Sequence, residues 1–358
     1  MAKMIKFKPL WSDSLGAKSY SVYLEVGDKR IIVDPGVAAM QPSYPADRKL
    51  KLKWRDEAYQ VISEYLSKSE YVIITHYHHD HYLWRESDIE KYYGKKLLIK
   101  NPNMYINDSQ WRRAQEFIQL LISMILDKDI HEYLSDVEEE EFPDLTYELR
   151  EALALDLGDY NKRRRELLEA GRKWFLKRVE KWKQNKWITD SIKSDKILIS
   201  FIDGKHLVID DLRIEFTKPL YHGIEYSRVG WVIAFKIEHL RSKIIYTSDV
   251  QGPTIEDYAT WIINEDPEVL ILDGPPTYLI PYSMNLINFR RTVNNLIRII
   301  RSTKKLKLII YDHHLTREYR YRERVKDVYA EGKERGVEVL TVAEYLGLDP
   351  AFKQIGKM

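Results

Sequence analysis

Seven of the ten histidines of this chain fall in three places: His76, His78, His79 and His81; His222; and His313 with His314. The first group lies in Thr75-His76-Tyr77-His78-His79-Asp80-His81, directly after the apolar run Tyr71-Val72-Ile73-Ile74. Such a run reads as a short buried strand, and a strand's carboxyl end is where sites form in layered α/β folds. Alternate residues of an extended segment point the same way, so His76 and His78 can share one ion. The chain then turns and aims Asp80 and His81 towards a second. Neutral imidazole suits zinc, and a carboxylate compensates its charge. A surface turn that is His-rich by chance would not follow an apolar strand with four histidines and an aspartate in six residues.

His222 in Pro219-Leu220-Tyr221-His222-Gly223, Asp249 in Tyr246-Thr247-Ser248-Asp249-Val250, and His313-His314 after Leu308-Ile309-Ile310-Tyr311 are individually weaker signals. Each alone reads as a loop histidine, a turn or a cap. Their shared position, always after a strand, raises them.

The elements that must position these residues follow from the same patterns. Strands are expected at Ser19 to Val26, Arg30 to Val33 (ending at Asp34-Pro35-Gly36), Leu207 to Ile209, Arg213 to Phe216, Val229 to Ile237, Lys243 to Tyr246, Val269 to Leu272 and Leu306 to Tyr311, with Gly27-Asp28 as a turn. Helices are expected at Arg55 to Leu66, Ser283 to Arg301 and Arg317 to Arg335. From about Asn103 to Ile197 helical periodicity dominates and charge is segregated. Asp127 to Asp159 carries 13 acidic against 2 basic residues, and Asn161 to Trp187 carries 11 basic against 3 acidic. We read residues 103–197 as a helical insertion in a domain made of residues 1–102 and 198–358. Phe175, Val179, Trp182 and Lys186 form a stripe at helical spacing. Trp174, Trp182 and Trp187 would stack on bases if the block were a nucleic-acid arm. The competing reading packs the acidic and basic halves on each other as a cap or lid, with the aromatics buried between them. The Glu138 to Glu141 run is the one low-complexity tract.

In order, Asp34, His76-x-His78-x-Asp80-His81, His222, Asp249 and a late histidine resemble the five motifs of the metallo-β-lactamase superfamily. At finer grain, Ser248-Asp249-Val250-Gln251-Gly252-Pro253, Asp273-Gly274-Pro275-Pro276-Thr277-Tyr278-Leu279 and Asp312-His313-His314-Leu315 are similar to an archaeal branch of it, the UPF0282-like proteins. The resemblance implies a four-layer αββα sandwich with two divalent ions at one edge. Zinc is the first candidate, with manganese or ferrous iron as others. It also implies that His76, His78 and His222 hold one ion and that Asp80, His81 and His313 hold the other. Asp249 would bridge the two, and Asp34 would orient a ligand. His314 is the alternative late ligand, and His79 occupies a variable position. Asp80 and Asp249 would be the carboxylates of a catalytic centre in which a hydroxide between the ions attacks a carbonyl or phosphoryl group. Where the superfamily often has a small residue and paired glycines, this chain has Tyr82-Leu83-Trp84, which implies a different pocket.

The expected function is therefore metal-dependent hydrolysis. Phosphate esters or nucleic acids lead, because Asp273 to Tyr278 resembles the loop after a strand in the superfamily's nucleases. A lactonase or thioesterase is the alternative, and a metal-bound binding protein without turnover is a third reading, which the intact ligand set opposes. A redox di-iron role is disfavoured because its pattern places Glu where His78 stands. The substrate would be a small molecule or a nucleic acid.

Bulk composition narrows the rest. The 358 residues suffice for a large core, with 44% hydrophobic and 31% charged residues and a formal net charge of +2. That charge points to no nucleic-acid or membrane partner by itself. With no cysteine, disulfides, thiolate chemistry and Cys-held metals are excluded. Met1 to Leu10 has no apolar leader pattern and no run is long enough to span a bilayer, so a cytoplasmic protein is expected. Dense charge of both signs fits a thermophile's usage.

Overall fold

A computed structural model describes residues 5–137 and 141–355, so Glu138 to Glu140 of the acidic run lie outside the described residues. Two seven-stranded mixed sheets dominate it. The first runs, edge to edge, Lys6–Ser12, Tyr20–Val26, Lys29–Val33, Tyr71–Ile74, Lys96–Ile99, Leu198–Phe201, Ser191–Lys193. The second runs His206–Ile209, Leu212–Phe216, Phe235–His239, Ser242–Tyr246, Val269–Leu272, Leu308–Tyr311, Glu338–Leu340. The strands that precede the histidine motifs are paired in parallel, Lys29–Val33 with Tyr71–Ile74 and Val269–Leu272 with its neighbours on both sides. Their carboxyl ends therefore gather at one edge.

Period-two alternation decides which side each residue covers. Ile31, Val33 and Ile73 face Ile214, Phe235, Ile237, Ile244 and Ile271 between the sheets. Ile32, Val72 and Ile74 face outward onto helices. The helix Arg48–Lys68 buries Leu50, Trp54, Ala58, Ile62 and Leu66, one residue per turn, and Asp47 caps it by accepting from the Leu50 N–H at 2.7 Å. Glu256–Glu265, Leu286–Ser302 and Lys326–Arg335 cover the second sheet through Ile262, Leu296, Ile299 and Val328. The result is the expected four-layer αββα sandwich.

Two expected elements are broken. The strand expected over Val229 to Ile237 is two, Trp231–Val232 and Phe235–His239, because Trp231 pairs back on Tyr221 in a small hairpin before the chain enters the sheet. The helix expected over Arg317 to Arg335 begins as a 3-10 turn Leu315–Arg317, re-forms over Tyr321–Arg324 and continues as Lys326–Arg335. Arg317 is drawn into the interior instead of starting a surface helix.

Residues 103–197 do not stand apart. Ser191–Lys193 is an edge strand of the first sheet, paired antiparallel with Leu198–Phe201. The helices Asp108–Leu121 and Tyr160–Gln184 bury Phe117, Phe175, Val179 and Trp182 in the same core cluster as Val72. Trp182 is 2% exposed and its indole N–H donates to the Ile106 carbonyl at 3.0 Å. Trp174 stacks on Trp231 with ring centroids 5.4 Å apart, and the Trp187 indole donates to the Trp182 carbonyl. Lys186 is exposed and Trp174 and Trp187 are half-buried, whereas Phe175, Val179 and Trp182 of the stripe are core. Their partners differ from those expected, being Tyr105, Tyr226 and Trp231 as much as anything in the acidic half. Lys186–Asp136 joins the two charged halves, whereas Glu148 pairs with Lys218 and Glu151 with Arg298 of the main body. No helix among the described residues is long and apolar enough to cross a membrane.

Candidate metal centre

The strand ends bring the expected residues together around one carboxylate. His222 Nε2 lies 3.2 Å from Asp249 Oδ2, His81 Nε2 3.3 Å, His76 Nε2 3.5 Å, His313 Nε2 3.6 Å and His314 Nε2 3.7 Å. His78 Nδ1 joins at 3.0 Å from His76 Nε2, and Asp80 Oδ2 lies 3.9 Å from His313 Nε2. Ligand atoms within metal-binding reach of one another form three sets: His76, His78, His222 and Asp249; Asp80, His81 and His313; and Asp249, His313 and His314. The first two coincide with the two trios that the sequence motifs imply, with Asp249 between them. The third leaves His313 and His314 both facing the centre.

Each half is oriented from behind. Asp34, at the end of its strand with φ 45, accepts from the Thr75 N–H at 2.8 Å, the Thr75 hydroxyl at 2.7 Å and the Tyr246 hydroxyl at 2.7 Å, and meets His81 Nδ1 at 3.0 Å. A carboxylate there fixes the His81 tautomer and leaves Nε2 for the centre. Gly36 makes this possible, because a Cβ on it would meet the backbone N of Tyr82 at 2.0 Å and that of His81 at 2.4 Å. His76 is backed by hydroxyls instead, with Thr75 Oγ1 at 3.3 Å and Ser248 Oγ at 3.4 Å from Nδ1.

Burial and charge then set protonation. Burial holds His76 well below the ordinary imidazole value, and burial with His222 alongside brings His78 down to about 3. For His81 burial also pulls down, but Asp249 and Asp34 outweigh it and hold the ring well above its ordinary value. His313 follows the same pattern through Asp13 and Asp249, rising to about 10. Burial would raise the Asp249 and Asp80 carboxyls, yet the surrounding histidines overcome it and hold both below the usual carboxylate range.

His81 Nε2, His222 Nε2 and both Asp249 carboxylate oxygens are buried with no hydrogen-bond partner among the described residues. Four such atoms converging on one point would be costly in a closed interior. Divalent cations satisfy all four, and the all-His/Asp donor set suits them.

No family model matches the chain. A UPF0282 protein of Pyrococcus abyssi is 31% identical over 362 aligned positions, which cover 97% of this chain and 89% of the relative. Another from Pyrococcus horikoshii is 30% identical, covering 97% of this chain and 90% of its own length. The chain belongs to the UPF0282 family. Among solved structures, the metallo-β-lactamase fold protein YhfI of Bacillus subtilis aligns at 13% identity with a TM-score of 0.40, covering 95% of this chain and 96% of that one. A long form RNase Z from yeast aligns at 12% identity with a TM-score of 0.40, covering 87% and 38%.

Sequence reasoning missed three groups in this UPF0282 centre. Asp13, fully buried after the first strand, meets His313 Nδ1 at 3.1 Å and accepts from the His314 N–H at 2.9 Å. It does for His313 what Asp34 does for His81, and its place after a strand was the available signal. Arg317, four residues beyond His313, donates from Nε to Asp13 Oδ2 at 2.5 Å. Asp273 accepts from the Gln251 and Gly252 N–H groups at 2.7 and 3.2 Å and lies 3.4 Å from His314 Nδ1.

The segment 103–197 buttresses the loops that carry ligands. Gln110 accepts from the Tyr77 N–H at 3.2 Å and donates to the Val229 carbonyl at 2.8 Å. Arg164 reaches Glu225, three residues past His222, at 2.8 Å, and Arg291 clamps Glu225 and Glu256 at 2.7 Å each.

Proposed function

We propose that this chain is a two-ion, metal-dependent hydrolase acting on phosphate esters. The observation that carries the reading is the convergence of the His76, His78, His222 trio and the Asp80, His81, His313 trio on the orphaned carboxylate of Asp249. When bound there, a pair of divalent ions supplies water activated at neutral pH and polarises the electrophile of the substrate. The chain's own residues do the rest. Asp34 and Asp13 hold the Nε2 lone pairs of His81 and His313 towards the centre. Asp249 faces both trios, and the buried walls of Tyr20, Tyr246 and Tyr311 exclude water behind them. With Trp182 buried, Trp174 stacked on Trp231 and Trp187 half-buried against Phe142, residues 103–197 present no row of free indoles for a stacked nucleic acid, which favours a small phosphate ester.

Elemental analysis of the purified chain should find about two transition-metal ions, with zinc leading. A screen with p-nitrophenyl phosphate, bis-p-nitrophenyl phosphate, lactones and thioesters should then show metal-dependent turnover of a phosphate ester. Turnover of lactones or thioesters alone would move the chain to carboxylic ester hydrolysis. Bound ions without turnover would make it a binding protein, and a chain that takes up no ions would refute the reading altogether.

A further inference from the structure

Arg317 places a guanidinium inside the proposed centre, where a metal site would ordinarily exclude one. Its side chain is 7% exposed. Nε donates to Asp13 and Nη1 to the Tyr278 hydroxyl at 3.3 Å. Nη2 meets His313 Nε2 at 3.3 Å and Asp80 Oδ2 at 3.5 Å. The last two are the ligand atoms of the second trio. An ion held by Asp80, His81 and His313 occupies the His313 Nε2 that Nη2 faces, so Nη2 keeps only Asp80, which it must share with the ion, and faces a second positive charge.

A buried donor that shares its one remaining acceptor with an ion and two adjacent cations are both unfavourable. One group relieves both: an anionic oxygen that touches the ion and accepts from Nη2. Asp13 and Tyr278 fix the plane of the guanidinium, which sets the direction of the remaining donor. A lactone or thioester brings one carbonyl oxygen, which an ion polarises without help. A phosphoryl group brings further anionic oxygens, and Arg317 stands where one of them would lie.

We propose that Arg317, braced by Asp13 and Tyr278, is a phosphoryl-oxygen subsite that selects phosphate esters over neutral carboxylic esters. The proposal rests on the two-ion reading given above. Its test is calorimetric titration of the zinc-loaded chain with inorganic phosphate, after elemental analysis of each variant. Arg317→Gln should weaken phosphate binding by about 10- to 100-fold, the range of a lost charge-assisted hydrogen bond. Arg317→Lys should keep part of the affinity, and Tyr278→Phe, which removes only a half-buried hydroxyl, should weaken it by roughly two- to fivefold. If Arg317→Gln does not fold, the other two variants decide. Two bound ions with phosphate affinity unchanged across the soluble variants would overturn the subsite and leave the two-ion hydrolase standing. A wild-type chain that binds no ions would overturn both.

Discussion

His76 and His78 on one side of Asp249, and His81 and His313 on the other, answer burial in opposite ways. Behind His76 stand the hydroxyls of Thr75 and Ser248, which carry no charge. Burial then dominates, and both His76 and His78 are pushed towards the neutral form. Behind His81 and His313 stand Asp34 and Asp13, at 3.0 and 3.1 Å. Those carboxylates, with Asp249 in front, outweigh burial and favour the imidazolium. His76 and His78 are thus ready lone pairs, while His81 and His313 are held by protons until a cation displaces them. Two sites with nearly the same donor types therefore bind ions under different rules.

Removing the shared member should have the largest effect. Asp249→Ala takes away the carboxylate that both trios face, so it should lose at least one ion by elemental analysis. Turnover should fall on the order of 10³-fold or more, as when a member of a cooperating catalytic set is deleted. A variant that keeps both ions would show that Asp249 does not bridge the halves, and the comparison would collapse into two independent sites.

His313 and His314 offer a narrower cut. Both Nε2 atoms point at Asp249, at 3.6 and 3.7 Å, and both Nδ1 atoms have a carboxylate behind them. His313 alone also belongs to a set with Asp80 and His81. His313→Ala should therefore empty the second trio and lower turnover by at least about 100-fold, while the first ion stays. His314→Ala should cost about tenfold or less. The reverse ranking, read by metal content and kcat/KM together, would transfer the ligand role by one residue.

The opposed protonation gives a solution test that needs no substitution. Near pH 7 the second trio carries protons on His81 and His313, so loading it with zinc should release two protons and its affinity should fall about 100-fold per pH unit of acidification. His76 and His78 of the first trio should release close to none. Calorimetry in two buffers of different ionisation heat reads these counts directly, and equal counts for both ions would contradict the assignment. Without metal, the same directions predict folding stability. His313, raised to about 10 from an unfolded value near 6.5, contributes stability that is complete below pH ~6.5 and lost as pH rises through about 10. His78, lowered to about 3, works against the fold as pH falls from ~6.5 towards 3, because the unfolded chain takes a proton that the folded chain refuses.

What could be read from the sequence follows the range of the interactions involved. His76 to His81 follow an apolar run, so local pattern exposes them, whereas Asp34, His222, Asp249 and His313 are weak signals alone and gain their roles from the resemblance to the metallo-β-lactamase superfamily. Asp13 follows a strand as well, but Trp11-Ser12-Asp13-Ser14 reads locally as a turn, and its partner lies 300 residues away. Arg317 was legible only as the start of a charged helix. Its burial depends on Asp13 and Tyr278, which no local period encodes. The same limit explains the inserted block. Periodicity marked the Phe175, Val179, Trp182 face as apolar, yet it could not say that Trp231 and Tyr105, together with Phe142 of the acidic half, would cover it.

The smallest effect belongs to the histidine nearest the ligands in sequence. His79 lies between His78 and Asp80 in a turn closed by the His81 N–H donating to the His78 carbonyl at 2.9 Å, and its ring leaves the centre. It stacks on Trp84 instead, with centroids 4.2 Å apart and planes inclined by 14°. Trp84 is 38% exposed, so the pair forms a partly solvated rim beside the centre. Burial and the nearby Arg113 lower the His79 imidazole to about 4, which keeps the stack neutral at physiological pH. His79→Ala should therefore retain both ions and change stability by about 0.5–1.5 kcal/mol, the scale of one aromatic pair. Thermal melts with and without zinc separate the two possibilities, because a ligand would lose the zinc-dependent rise in Tm while a rim residue would shift both melts equally. Loss of that rise in His79→Ala would mean that the turn after His78 brings the His79 ring to the ions, and the membership of both trios would have to be redrawn.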